Sequence, residues 1–217
     1  RADAMHVVLA TGNKDKVREL EGLLAGVEVS AAPDGFDPDE TGTTLVQNAR
    51  IKAEALRGDA PADAYVMADD SGLFVHALGG RPGVYSSRYA GPDATYADNC
   101  NLLLTELADS PERAAAFGCV LYCIGPDGEV SVASGVLPGE ITREAAGADG
   151  FGYDPVFRPL TDRRTLAEMT RDEKAEIARS IDHFTASAPA TSFAITTTDV
   201  PALPSTDGSD ATGRVID

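Results

Sequence analysis

Apolar positions in this chain alternate between short unbroken runs and helically spaced sets. His6-Val7-Val8-Leu9-Ala10 is a run that stops at Thr11-Gly12-Asn13, which reads as a buried strand entering a turn. Val17, Leu20 and Leu24 then recur at i, i+3 and i+7 with Gly26 beyond, predicting a helix over about residues 15–25. Pro33, Gly35, Pro38 and Gly42 mark residues 31–42 as loop. A second helix is predicted from Thr43 or Thr44 to Leu56, with Gly58 past its end. Tyr65-Val66-Met67-Ala68 is a second buried strand, expected to end in Asp69-Asp70-Ser71-Gly72. Gly79 to Gly91 reads as an ordered loop, and Asp93 or Thr95 as the cap of a helix reaching Leu107. Ala114–Ile124 and Glu129–Val136 are strand-like, joined as a hairpin by Gly125-Pro126-Asp127-Gly128. A last helix begins at Thr170, where Thr170-x-x-Glu173 is a capping box, and runs to about His183. From Thr185 onward Ser and Thr become dense, prolines recur at 189, 201 and 204, and periodicity disappears. The pattern therefore predicts a folded unit over residues 5–184 and a mostly disordered tail over 185–217.

Composition narrows the classes. A chain of 217 residues suits one domain or two close-packed lobes. Its net charge is -17, which argues against a nucleic-acid binder and against an anionic membrane surface. A phosphate-bearing small molecule stays open, because a bound Mg²⁺ and a few placed lysines reverse the sign locally. Cys100, Cys119 and Cys123 have no C-x-x-C spacing and are too few for a disulfide framework, so they read as core thiols. No apolar run approaches a membrane span, and Arg1 to Met5 carry no apolar signal region. Met5 is a candidate start, and a cytoplasmic enzyme is the expectation.

Three places could carry chemistry. Thr11-Gly12-Asn13-Lys14-Asp15-Lys16 lies between a strand and a helix, where backbone N–H groups and lysines favour an anion; a plain turn with a solvated lysine is the alternative. Asp69-Asp70-Ser71-Gly72 ends an apolar strand, a position where α/β sheets gather ligand groups. Neighbouring strand residues face opposite ways, so one carboxylate is expected at the ligand and the other at the turn. Such oxygen donors suit Mg²⁺. The third signal is the scarcity of lysine: there are four, Lys14, Lys16, Lys52 and Lys174, beside 14 arginines. His6, His76 and His183 have no metal-ligand spacing.

Five motifs stand in order: Thr11-Gly12-Asn13-x-x-Lys16, Asn48-Ala49-x-x-Lys52-Ala53, Asp69-Asp70-Ser71-Gly72-Leu73, Pro82-Gly83-Val84-Tyr85-Ser86-x-Arg88-Tyr89 and Phe151-Gly152-Tyr153-Asp154-Pro155. Over about Met5 to Ile177 the chain resembles the inosine triphosphate pyrophosphatase family, which includes the dITP/XTP pyrophosphatases. The resemblance implies an α/β fold: an elongated, twisted mixed sheet with flanking helices and two lobes around a central nucleotide cleft, as a homodimer. It implies Mg²⁺-dependent hydrolysis of non-canonical purine nucleoside triphosphates to the monophosphate and pyrophosphate. By position it makes Thr11, Gly12, Asn13, Lys14, Asp15 and Lys16 the triphosphate loop. Glu40 and Asp70 become the metal carboxylates, with Asp70 the proton acceptor and Asp69 or a metal-activated hydroxide as rivals. Ser71 and Lys174 become substrate contacts, and Phe151, Gly152, Tyr153 and Asp154 the base-pocket wall, with Phe151 and Tyr153 as stacking faces.

The chain departs from the pattern at three points. Gln47 stands where the family has Glu. Ala178-Arg179-Ser180 replaces a Ser-His-Arg that contacts the base, and the apolar continuation of the last helix gives way to the Ser/Thr-rich tail. The lost Ser-His-Arg also supports two other readings: a non-catalytic nucleotide-binding protein, and a pyrophosphatase with different base specificity.

Overall fold

The computed structural model describes residues 5–23 and 26–180. The expected tail over 185–217 lies outside the described residues, as do His183 and the side chains of Arg179 and Ser180.

The fold is a mixed α/β arrangement around one open, seven-stranded sheet with flanking helices. In chain order the elements are β1 (His6–Leu9), α1 (Lys14–Leu23), β2 (Glu28–Ala31), α2 (Leu45–Arg57), β3 (Tyr65–Val75) and β4 (Pro82–Gly83). Then follow α3 (Tyr96–Glu106), β5 (Ala114–Ile124), β6 (Val130–Ile141), β7 (Phe157–Pro159) and α4 (Arg171–Ser180). The sheet order is β2-β1-β3-β5-β6-β7, with β4 also on β3. β1 is parallel to β2 and β3, and every other pairing is antiparallel. Among the described residues no helix is long and apolar enough to cross a membrane.

Helix positions follow from local chemistry. Thr44 caps α2 by accepting from Gln47 N, and Thr95 with Asp98 forms a full capping box on α3. The box at Thr170 and Glu173 is also formed. Gln47 Oε1 accepts from both Thr43 N and Thr43 Oγ1, so this departure from the family pattern is spent on the entry to α2.

The strands differ more from expectation. β3 does not end at Ala68; it runs on through Asp69-Asp70-Ser71-Gly72 to Val75, paired residue by residue with β5. The acids thus lie within a strand rather than in a turn. Leu73, Phe74 and Val75 resume burial, and Gly72 lets β4 approach: a Cβ there would sit 2.5 Å from the Gly83 carbonyl oxygen. β6 likewise continues past Val136 through Pro138 and Gly139, and β2, β4 and β7 were not anticipated.

The long strands carry a core on each face. Even-numbered Val66, Ala68 and Phe74 join Val120, Tyr122 and Ile124 beneath Leu45, Ala49, Ala53 and Leu56 of α2. Odd-numbered Leu73 and Val75 join Leu103, Tyr153, Phe157 and Leu166 on the other face. Asp69 and Asp70 fall between these stretches of β3, one on each face.

Candidate functional site

α2 places a lysine on its buried side. Asn48 and Lys52 are one turn apart, among the core residues Leu45, Ala49, Ala53 and Leu56. Lys52 Nζ lies 2.8 Å from Asp70 Oδ1 and 2.9 Å from Glu40 Oε1. Asn48 Nδ2 approaches Asp70 Oδ2 at 3.4 Å, while its Oδ1 accepts from Gly42 N at 2.8 Å and fixes the loop that carries Glu40. Arg88 reaches Glu40 Oε2 at 3.7 Å. Lys52 and Asp70 are both buried. Burial raises the Asp70 carboxyl above its ordinary value, against the pull of Lys52.

The other face of β3 meets the first loop. Lys16 Nζ contacts Asp69 Oδ2 at 2.5 Å. Burial opposes the charged lysine, yet the Asp69 carboxylate outweighs it and holds Lys16 above its ordinary value. Asp69 Oδ1 is a buried oxygen with no hydrogen-bond partner. Each acid therefore has its own lysine, and neither braces a turn as the sequence suggested.

The loop is organised by its own Asn13. Asn13 Oδ1 accepts from Asp15 N at 2.9 Å and from Lys16 N at 3.4 Å, and Asn13 N donates to Thr11 Oγ1. Two N–H groups at the start of α1 are thus capped by Asn13. A Cβ on Gly12 would lie 3.2 Å from the Phe36 carbonyl oxygen. Lys14 is exposed, and Asp15 pairs with Arg18 at 3.0 Å on the surface. Ser71 is half-buried on β3, opposite Cys119.

A third cluster forms at Phe151–Asp154. Asp154 Oδ2 accepts from Lys174 Nζ at 2.6 Å and from Phe151 N at 3.2 Å. Burial raises the Asp154 carboxyl, against Lys174. Gly150 has φ +90, and a Cβ there would sit 2.0 Å from Asp154 Oδ2, so only glycine leaves room for the pair. The Tyr153 ring is 4% exposed and packs in the core, with its hydroxyl donating to the Ser86 carbonyl at 2.9 Å. Tyr153 is thus buried rather than an open stacking face as expected, while Phe151 is half-buried. Cys100 donates to the Gly152 carbonyl at 3.4 Å.

Three of the four lysines hold carboxylates at these clusters. Sequence reasoning left Lys52 and Asn48 without a role, although a lysine on the apolar side of α2 was a visible signal. It also gave Ser86 and Arg88 no role, although both stand in one of the five ordered motifs.

A family model described as the Ham1 family matches residues 7–184. A dITP/XTP pyrophosphatase of Escherichia coli (strain K12) is 48% identical over 180 residues, covering 79% of this chain and 90% of that protein. The solved structure of the Staphylococcus aureus Ham1 protein superposes with a TM-score of 0.70 at 36% identity, covering 81% of this chain and 93% of that one. A Mycobacterium abscessus structure described as nucleoside-triphosphatase / dITP/XTP pyrophosphatase gives a TM-score of 0.66 at 39% identity, covering 82% and 95%.

Proposed function

The chain belongs to the Ham1 family, and from that premise we propose that its unit over residues 5–184 hydrolyses non-canonical purine nucleoside triphosphates such as ITP, dITP and XTP, with Mg²⁺. The activity class is that of a nucleoside triphosphate pyrophosphatase, a hydrolase of acid anhydrides. The observation that carries the mechanism is the Glu40–Lys52–Asp70 cluster, two carboxylates converging on one ammonium at 2.9 and 2.8 Å.

The donor set fits Mg²⁺. Glu40 and Asp70 already share one cation-sized position, and both offer oxygen. Mg²⁺ takes one or two carboxylates and completes its shell with water and phosphate. Among the described residues no group of three or more His, Cys, Asp or Glu gathers to hold a metal, in keeping with phosphate and water supplying the rest. Glu40 and Asp70 would hold the ion, which would neutralise phosphate charge and polarise the phosphorus under attack.

The remaining work falls to the chain. A triphosphate entering a protein of charge -17 needs local cations. Lys16 supplies one next to the Asn13 turn, and Lys52 another beneath the carboxylates. Held in a site partly closed to water, their charges act more strongly than on the surface and favour negative charge building on the departing pyrophosphate. Asp70 is the proton acceptor for the attacking water. Burial raises its carboxyl above the ordinary aspartate value, which makes it a better base than an exposed aspartate. Asp69 keeps Lys16 charged and placed. At the other end Lys174 and Asp154 fix the segment from Phe151, whose ring stacks on the base. A hydrogen-bond donor to O6 and an acceptor for N1–H, matched by a 6-oxo purine, would be left unpaired by adenine.

The test is pyrophosphate release from ITP, dITP, XTP, GTP and ATP, each with Mg²⁺ and with chelator. The reading requires Mg²⁺-dependent release that is fastest for 6-oxo purines outside the canonical set. Equal rates on ATP, or release unaffected by chelator, would sink it.

A further inference from the structure

Tyr96 is the first residue of α3, and its side chain is 44% exposed, which makes it one of few large hydrophobic residues left in solvent among those described. Nothing in the helix requires it there, because Thr95 and Asp98 already form the cap. Its ring centroid lies 6.2 Å from that of Phe151, with the planes tilted by 46°. Its hydroxyl stands 3.5 Å from Asn13 Nδ2, the outer limit of a hydrogen bond. One exposed aromatic therefore spans from the turn that begins α1 to the wall that begins at Phe151, two segments 138 residues apart in sequence (151 − 13).

We propose that Tyr96 is a substrate-contacting specificity residue that stacks on the free face of the purine, so that Tyr96 and Phe151 clamp the base between them. The proposal rests on the pyrophosphatase reading above and deepens it. A flat ring between two parallel aromatics needs about 7 Å, twice the ~3.5 Å contact distance between carbons. The present separation is slightly less and the rings are tilted, so a side-chain rotation of the exposed Tyr96 opens the slot while Phe151 stays fixed through its backbone bond to Asp154. Stacking acts on the π face and does not read the base edge. Tyr96 thus adds affinity for any purine, whereas it contributes nothing to a bare phosphate chain.

The experiment compares wild type, Tyr96→Ala and Tyr96→Phe. KM and kcat are measured for ITP with Mg²⁺, and binding of inosine 5′-monophosphate and of inorganic pyrophosphate is measured by calorimetry. Base–aromatic stacking at ~1–3 kcal/mol per base predicts that Tyr96→Ala weakens monophosphate binding and raises KM about tenfold. Pyrophosphate affinity and kcat should stay within about twofold. Tyr96→Phe keeps the stacking face and should hold monophosphate affinity near wild type. Alanine is a good helix former, and the cap at Thr95 is untouched, so thermal unfolding should be little changed. Unaltered monophosphate binding in Tyr96→Ala, with wild type active on ITP, overturns the clamp alone. Parallel losses for monophosphate and pyrophosphate also overturn it, because that pattern marks a structural role. A wild type that neither hydrolyses ITP nor binds the monophosphate overturns both this proposal and the reading beneath it.

Discussion

Lys52 Nζ stands 2.8 Å from Asp70 Oδ1, and both side chains are buried. The ammonium comes from the core side of a helix and the carboxylate from the middle of a strand, 18 residues apart. Taking both charges out of water costs several kcal/mol per ion before pairing returns any of it. Such a pair is poor evidence for stability and better evidence for function. Asp70→Asn keeps the shape and one acceptor oxygen for Lys52 but removes the charge. We expect at least about a 10²-fold loss in kcat, by comparison with other single electrostatic contributors. Circular dichroism should match wild type. Near-normal turnover would remove Asp70 from the mechanism.

The same carboxyl sets a pH signature. Burial, opposed by Lys52, raises the Asp70 pKa from its ordinary 3.8 in the folded chain. The folded state therefore keeps this proton over a range in which the unfolded chain has lost it. Its contribution to stability is fully present below the unfolded pKa and is lost as pH rises through the folded one. Asp70→Asn removes that loss. The variant's melting temperature minus that of wild type should grow as pH is raised from about 3.5 to 7, in metal-free buffer. A difference that stays flat or shrinks would show that Lys52 and its neighbours fully compensate the buried carboxylate.

Glu40 shares Lys52 with Asp70 yet is itself only half-buried. Glu40→Gln should raise the Mg²⁺ concentration needed for half-maximal activity while leaving the ITP-to-ATP preference almost unchanged. The check is a Mg²⁺ titration at fixed nucleotide. An unshifted midpoint would count against Glu40 as a metal carboxylate.

Ser86 joins the two ends of the site. Its hydroxyl accepts from Leu73 N at 2.8 Å and donates to the Gly83 carbonyl at 2.6 Å, and its carbonyl accepts from the Tyr153 hydroxyl at 2.9 Å. Ser86→Ala leaves a buried N–H on β3 without its acceptor and should cost about 1–3 kcal/mol. Tyr153→Phe removes a single bond while keeping the ring, and should cost about 0.5–1.5 kcal/mol. Denaturant unfolding of the two variants gives both numbers. The reverse ranking would mean that the Tyr153 hydroxyl, not the Ser86 side chain, holds the wall in place.

Gly72 offers a test of the uninterrupted β3. A Cβ there would lie 2.5 Å from the Gly83 backbone oxygen. Backbone cannot swing aside as a long side chain can, so Gly72→Ala should destabilise by about 1–3 kcal/mol. That corresponds to roughly 2–4 °C of melting temperature per kcal/mol for a chain of this size. An unaffected melting temperature would imply that β4 is free to lift from β3.

What the sequence determined by itself is what is local. The spacing of Leu45, Ala49, Ala53 and Leu56, the box from Thr170 to Glu173 and the turn Gly125–Gly128 under a hairpin depend on neighbours within a few residues. They were legible because helix faces and turn conformations are set at that range. The ordered motifs also pointed to the Thr11–Lys16 loop, the acid pair and the Phe151–Asp154 segment. Tertiary structure decided where strands stop and which charges meet. Asp69-Asp70-Ser71-Gly72 resembles a strand end in isolation, yet a partner ladder from β5 carries the chain through it. Lys52 sits on an apolar helix face, and nothing nearby in sequence says that Glu40 and Asp70 converge on it. Tyr96 resembles an idle surface aromatic until the fold sets Asn13 on one side and Phe151 on the other. Periodicity encodes which face a residue shows, whereas the partner across that face is fixed only when distant segments pack.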